Sequence, residues 1–146
     1  MEMKQSVYQI LLSVVFILFW LYSAGFKLYD FGAFKQEMHR QVFPAELSNL
    51  LSFTVPASEI IIAALLVNAV TRGIGMILSF LLMLAFTTYT GLALLGVYST
   101  TPCNCIGLLG EKASWGDNFM LNLVITLIAT AGLILTFKDW KGGKRV

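Results

Sequence analysis

Two charge-free stretches of this chain are apolar from end to end: Gln5 to Phe26, between Lys4 and Lys27, and Asn118 to Phe137, between Asp117 and Lys138. Each has the length of one membrane crossing, since roughly 20 mainly apolar residues span a hydrocarbon core of about 30 Å. Lipid offers no partner to an open backbone, so a chain built of such runs folds as helices that satisfy their own hydrogen bonds. Gly73 to Gly110 is also uncharged, but its apolar part ends near Tyr98 and gives way to Ser99-Thr100-Thr101-Pro102. A fourth apolar run, Leu47 to Val70, is interrupted by Pro56 and Glu59.

Composition agrees with these runs. Hydrophobic residues make up 58% of the 146, charged residues 12%, and the mean hydropathy is +0.79. Those values exclude an ordinary water-soluble domain, and no nucleic-acid partner is expected; the partner at hand is the lipid bilayer. The expected fold is an all-α integral membrane protein, a single transmembrane domain over residues 1–146. Its four helices are expected at about 6–26, 53–70, 75–98 and 118–137. Pro56 is expected in the first turn of the second helix, where a missing N–H costs little. The first run is longer than a signal-peptide core and lacks a convincing small-residue cleavage site, so it is read as a span.

Between the first two spans, Phe31, Phe34, Met38 and Val42 recur at spacings of three and four, with Lys35, Gln36, His39 and Arg40 between them. This is an amphipathic pattern, expected as an additional interfacial helix over 31–43 that ends at Phe43-Pro44. It reads either as a connector over the mouth of the bundle or as a lid above a site.

Basic residues give the expected orientation. With four spans, Lys4, Arg72, Lys138, Lys141, Lys144 and Arg145 fall on one side and Lys27, Lys35, Arg40 and Lys112 on the other. The compact tail from Lys138 favours the cytoplasm, which puts both termini there. In a bacterium this is the inner membrane, and the loop at 99–117 faces the oxidising side. Trp115 and Trp140 are expected at the two interfaces.

Inside the bundle, Asn118, Asn122, Thr126 and Thr130 fall four apart, and Thr87 and Gly91 mark the third helix, as expected of faces turned toward other helices. Glu59 is costly in lipid and needs a partner or a function. Lys27, at the end of the first helix, can reach it, either as a structural pair or to set the charge near a thiol site.

Cys103 and Cys105 are the chain's two cysteines, in Thr101-Pro102-Cys103-Asn104-Cys105-Ile106-Gly107. With His39 the single histidine, a four-ligand zinc or iron-sulfur site is incomplete, so no metal is expected; a two-thiolate copper(I) site stays open. As a brace, a three-residue loop contributes about 1.6 kcal/mol by chain entropy, against about 4.7 for a loop of about 100 residues. Exposed or strained disulfides exchange readily, so the spacing favours a redox couple, with Pro102 fixing the backbone that enters it. Lys27 and His39 are candidates to stabilise an attacking thiolate, because a nearby cation lowers a thiol pKa.

Three segments carry a resemblance: Ser23-Ala24-Gly25-Phe26-Lys27-Leu28, Pro56-Ala57-Ser58-Glu59-Ile60 and Pro102-Cys103-Asn104-Cys105-Ile106-Gly107. In order and spacing the chain resembles the MauE branch of the DoxX-like small membrane proteins. The resemblance implies four transmembrane helices, an outer Cys-x-Cys pair, and thiol-disulfide exchange with a thioredoxin-like partner or a disulfide-containing client. The family's namesake is required for maturation of the disulfide-rich small subunit of methylamine dehydrogenase. Asn104 and Ile106 depart from the family's usual Cys-Gly-Cys-Phe-Gly form, which leaves the redox pair intact and the specific methylamine role in question.

The candidate catalytic residues are therefore Cys103 and Cys105, with Lys27, His39, Glu59, Pro102 and Asn122 as supporting residues. A thiol-disulfide oxidoreductase, or an accessory subunit of one, is the function class expected. Two other classes stay open. One is a quinone-linked oxidoreductase subunit, with quinone as the single cofactor left open and Glu59 beside its pocket. The other is a non-catalytic scaffold of a larger complex.

Overall fold

The computed structural model describes residues 7–97 and 115–143, and every regular element in them is helical. Four helices are long and apolar enough to cross a membrane: α1 Val7–Tyr29, α3 Ala45–Val67, α4 Arg72–Leu94 and α5 Trp115–Gly143. A short helix, α2 Phe31–His39, lies between the first two. The expected architecture is therefore present.

The helices turn their polar residues inward, among large apolar ones, and leave aliphatic side chains outside, where lipid is the solvent. On α1 the buried residues are Gln9, Ser13, Phe16, Trp20, Ser23, Ala24 and Lys27. They recur every three or four residues and form one stripe, while Leu11, Val14, Leu18 and Leu21 stay exposed. α1 packs along α3 and α5 along α4, with an α3–α4 contact joining the pairs. The core holds Phe16 and Trp20 of α1, Ile62, Ala63 and Leu66 of α3, Met76 and Met83 of α4 and Ala129 of α5. Polar groups link the helices across this core. Trp20 Nε1 donates to Ser79 Oγ at 2.9 Å, Gln9 Nε2 to Thr136 Oγ1 at 3.2 Å, and Asn122 Nδ2 to Thr90 Oγ1 at 3.3 Å. Thr87 and Thr126 hydroxyls meet at 2.7 Å.

Helix boundaries differ from expectation: α4 runs Arg72–Leu94 rather than about 75–98, α5 runs Trp115–Gly143 rather than about 118–137, and three other ends have a clear cause. α3 begins at Ala45 rather than near Phe53, so Pro56 lies inside the helix and not in its first turn. Pro44 sets the entry, and Ser52 Oγ donates back to Ser48 O at 2.7 Å, one turn before Pro56. In lipid, losing one N–H is cheaper than unwinding two turns of backbone, because water cannot replace the helical bonds. α1 runs past Phe26 to Tyr29, since Lys27 is buried and neutralised rather than pulled toward water. α2 stops at His39 instead of reaching Phe43. Arg40 N reaches both Gln36 O and Glu37 O, the chain bends through 41–43, and Val42 is 46% exposed, not part of the apolar face.

The remaining ends follow ordinary capping. Asp30 Oδ1 accepts from Ala33 N at 3.1 Å and starts α2. At the α3–α4 turn, Thr71 Oγ1 donates to Leu65 O at 2.8 Å and Arg72 Nε to Leu66 O at 3.1 Å, covering carbonyls that α3 leaves open. α4 ends at Leu94, and just beyond it Gly96, with a φ of 75°, allows Val97 N to reach back to Leu92 O.

Candidate functional site

Three side chains close a triangle near the end of the bundle that carries α2. Ser23 and Lys27 are four apart on α1, so both face α3, and Glu59 answers them from the middle of that helix. Lys27 Nζ donates to Glu59 Oε1 at 2.7 Å and to Ser23 Oγ at 2.6 Å, while Ser23 Oγ donates to the same Oε1 at 3.0 Å. All three are at most 1% exposed. Opposite charges at this separation cancel, so the group is neutral as a whole. The Lys27 ammonium also lies 5.9 Å from the centre of the Phe34 ring of α2. The second carboxylate oxygen, Glu59 Oε2, has no hydrogen-bond partner among the described residues.

Lys27 forms part of the wall of a cavity of about 320 Å³ between α2, α3 and α4. Phe34 and Met38 line it from α2, Val55 from α3, and Phe86 and Tyr89 from α4. The bend after α2 closes one side. There Phe43 stacks on Tyr89 with centroids 5.7 Å apart, and the Tyr89 hydroxyl donates to Gln41 Oε1. The cavity is thus apolar, with aromatic rings from α2, α4 and the bend between α2 and α3 in its wall.

The structure does not gather all the expected supporting residues. Lys27 and Glu59 are together. His39 is exposed, with Nε2 at 3.0 Å from Asn49 Oδ1, on the polar side of α2. Asn122 is buried between α4 and α5, bonded to Thr90 and apart from the Lys27 group; its Oδ1 has no partner among the described residues. Pro102, Cys103 and Cys105 lie outside the described residues, as does the side chain of Trp115. Trp140, at the opposite end of the bundle, packs edge-on against Phe137 and covers Gly73. Among the described residues, no three His, Cys, Asp or Glu side chains gather as a metal site requires.

Sequence reasoning did not find Ser23, Gln41 or Tyr89. Ser23 carried a signal, its place four residues before a lone intramembrane lysine. Gln41 and Tyr89 are 48 residues apart and carried none.

No curated protein and no solved structure matches this chain. A family model does: that of the methylamine utilisation protein MauE matches residues 5–135, which takes in all four spanning helices up to Leu135 of α5 and the Lys27 and Glu59 positions. The chain belongs to the MauE family of membrane proteins.

Proposed function

We propose that this chain is a membrane thiol-disulfide exchange protein of the bacterial inner membrane, with Cys103 and Cys105 as the exchanging pair on the extracytoplasmic side. What carries the reading is the position of the chain on either side of that pair. Gly91 of α4 meets Phe119 of α5, and Thr90 meets Asn122, so the segment between Val97 and Trp115 leaves and re-enters the bundle at the end that carries α2. Arg72, Lys138 and Lys141 lie at the opposite end. The Lys27–Glu59 pair strengthens the orientation argument. Cancelling Lys27 leaves Lys35, Arg40 and Lys112 as basic residues of the α2 side, against six on the other.

In this cycle a client thiolate attacks one sulfur of the Cys103–Cys105 disulfide, and the other cysteine leaves as a thiolate. The client's second thiolate then attacks the mixed disulfide. The client gains a disulfide, and the pair takes up two electrons and becomes a dithiol. A thioredoxin-like disulfide partner reoxidises it by the same two displacements in reverse. Each turn breaks one S–S bond for each one formed.

Replacing Cys103 and Cys105 singly with Ser tests this. One of the two variants should accumulate a reducible mixed disulfide with an extracytoplasmic protein, seen as a shifted band on non-reducing gels. No adduct in either variant, together with full function in the double variant, overturns the reading.

A further inference from the structure

We infer that the cavity between α2, α3 and α4 holds an acyl chain of a membrane phospholipid. Its wall presents carbon almost throughout, because the polar side chains in it spend their polar atoms elsewhere. The Lys27 ammonium turns to Ser23 and Glu59, which leaves its methylene stem to the wall. Gln41 Nε2 donates to Glu37 O at 3.1 Å, and Gln41 Oε1 accepts from the Tyr89 hydroxyl. The rest of the lining, from Phe34 and Met38 to Val55, Leu82 and Phe86, is hydrocarbon. A ligand rich in polar groups would give up its own partners on entering, and water needs two or more polar contacts to stay. The occupant is therefore itself apolar.

Position says which apolar molecule it is. α2 packs on α1 and α3, and among the described residues its backbone does not approach that of α4. The cavity is the gap left between α2 and α4, bridged by the bend that carries Gln41 and Phe43 to Tyr89. Ala85 is exposed at the rim, and Val55 and Leu82 are half-buried, so the gap opens between two spanning helices. At 1.5 Å per residue, Val55 lies about 15 Å along α3 from Ala45, half of a hydrocarbon core of about 30 Å. The opening thus faces the acyl chains of the leaflet on the α2 side, which are slim, flexible and free of polar atoms over most of their length. Entry brings no hydrophobic gain, since the chain leaves a medium as apolar as the wall. The gain is in dispersion contacts, which wall atoms facing a void of about 320 Å³ would otherwise lack. A chain seated there completes the packing between α2 and α4. This inference does not depend on the thiol-exchange reading.

The test places the full chain, one copy to a nanodisc, in phosphatidylcholine that carries a diazirine in its acyl tail, and maps the photoadducts by mass spectrometry. Phe34 and Met38 are 6% and 5% exposed, so lipid that merely surrounds the bundle does not touch them. Adducts on these two side chains are expected. Ala85→Trp narrows the opening and should cut them about tenfold, equivalent to 1.4 kcal/mol of binding, while adducts on the outward Leu18 and Leu81 stay unchanged. Ala85→Leu, a smaller addition, should give a smaller cut in the same direction and serves if the Trp variant misfolds. Leu18→Trp, on the lipid-facing side of α1, should have no effect on them. Adducts confined to outward side chains would overturn the proposal, as would Phe34 and Met38 adducts that the Ala85 variants leave unchanged or that Leu18→Trp cuts equally. Adducts on Phe34 and Met38 that vanish when two copies share a disc would give the cavity to a second copy of the chain and overturn it too.

Discussion

At the scale of single residues, the triangle of Ser23, Lys27 and Glu59 is where one substitution does most harm. Lys27→Met leaves a buried carboxylate without its counter-charge, and breaking such a pair from one side costs about 3–5 kcal/mol. Lys27→Met combined with Glu59→Gln removes both charges and should recover most of that loss. Reversible unfolding of the purified protein in mixed micelles measures the difference, and a double variant no more stable than the single one would contradict it. The pairing was legible because Glu59 interrupts an apolar run and Lys27 closes the end of the neighbouring one, and lipid leaves a buried carboxylate little choice but such a partner. Ser23 was not legible in the same way, since a serine on a membrane helix reads equally well as a small packing residue.

Among the elements, the α3–α4 contact depends on the absence of a side chain. A Cβ on Gly75 would lie 3.0 Å from the Leu66 side chain and 3.1 Å from the Leu66 backbone nitrogen, so the helices would have to separate. Gly75→Ala should destabilise the bundle by about 1–3 kcal/mol, the usual cost of overpacking. Gly25 meets nothing within 4 Å, so Gly25→Ala should be neutral or slightly stabilising through helix propensity. The same unfolding measurement separates the two. α2 is held differently, by Phe34 and Met38 below it and by the Gln41–Tyr89 hydrogen bond at its exit. Tyr89→Phe should raise hydrogen exchange in 40–43 with little change in α1, read by mass spectrometry on the purified protein. The existence of α2 was legible from its period, but its end was not. Gln41 bonds across the cavity, and that contact draws the chain out of the helical path three residues before Pro44. The start of α3 was misplaced for the opposite reason, because Pro56 and Glu59 resemble a helix beginning in water and are tolerated inside one in lipid.

For the whole molecule, orientation is the property to measure. With the termini cytoplasmic, a membrane-impermeant maleimide added to intact spheroplasts should label Cys103 and Cys105 after reduction and should leave a cysteine placed at Gly142 unlabelled until the membrane is opened. The reverse pattern would invert the topology. The four-helix architecture itself was readable from the length of the apolar runs, one of them interrupted by Pro56 and Glu59, whereas the cavity was not, because its lining residues look individually like ordinary core.

The ion pair also bears on how the protein enters its membrane. α1 leaves the ribosome before α3, and Lys27 at the end of the one and Glu59 within the other each bring a charge; a charge inserted alone costs about 2.5–3.5 kcal/mol at a helix centre and less toward its end. Neither is a comfortable solitary passenger in lipid. The first span therefore has reason to wait at the insertion machinery until the second emerges, and the two leave together as a hairpin, already joined through Lys27 and Glu59.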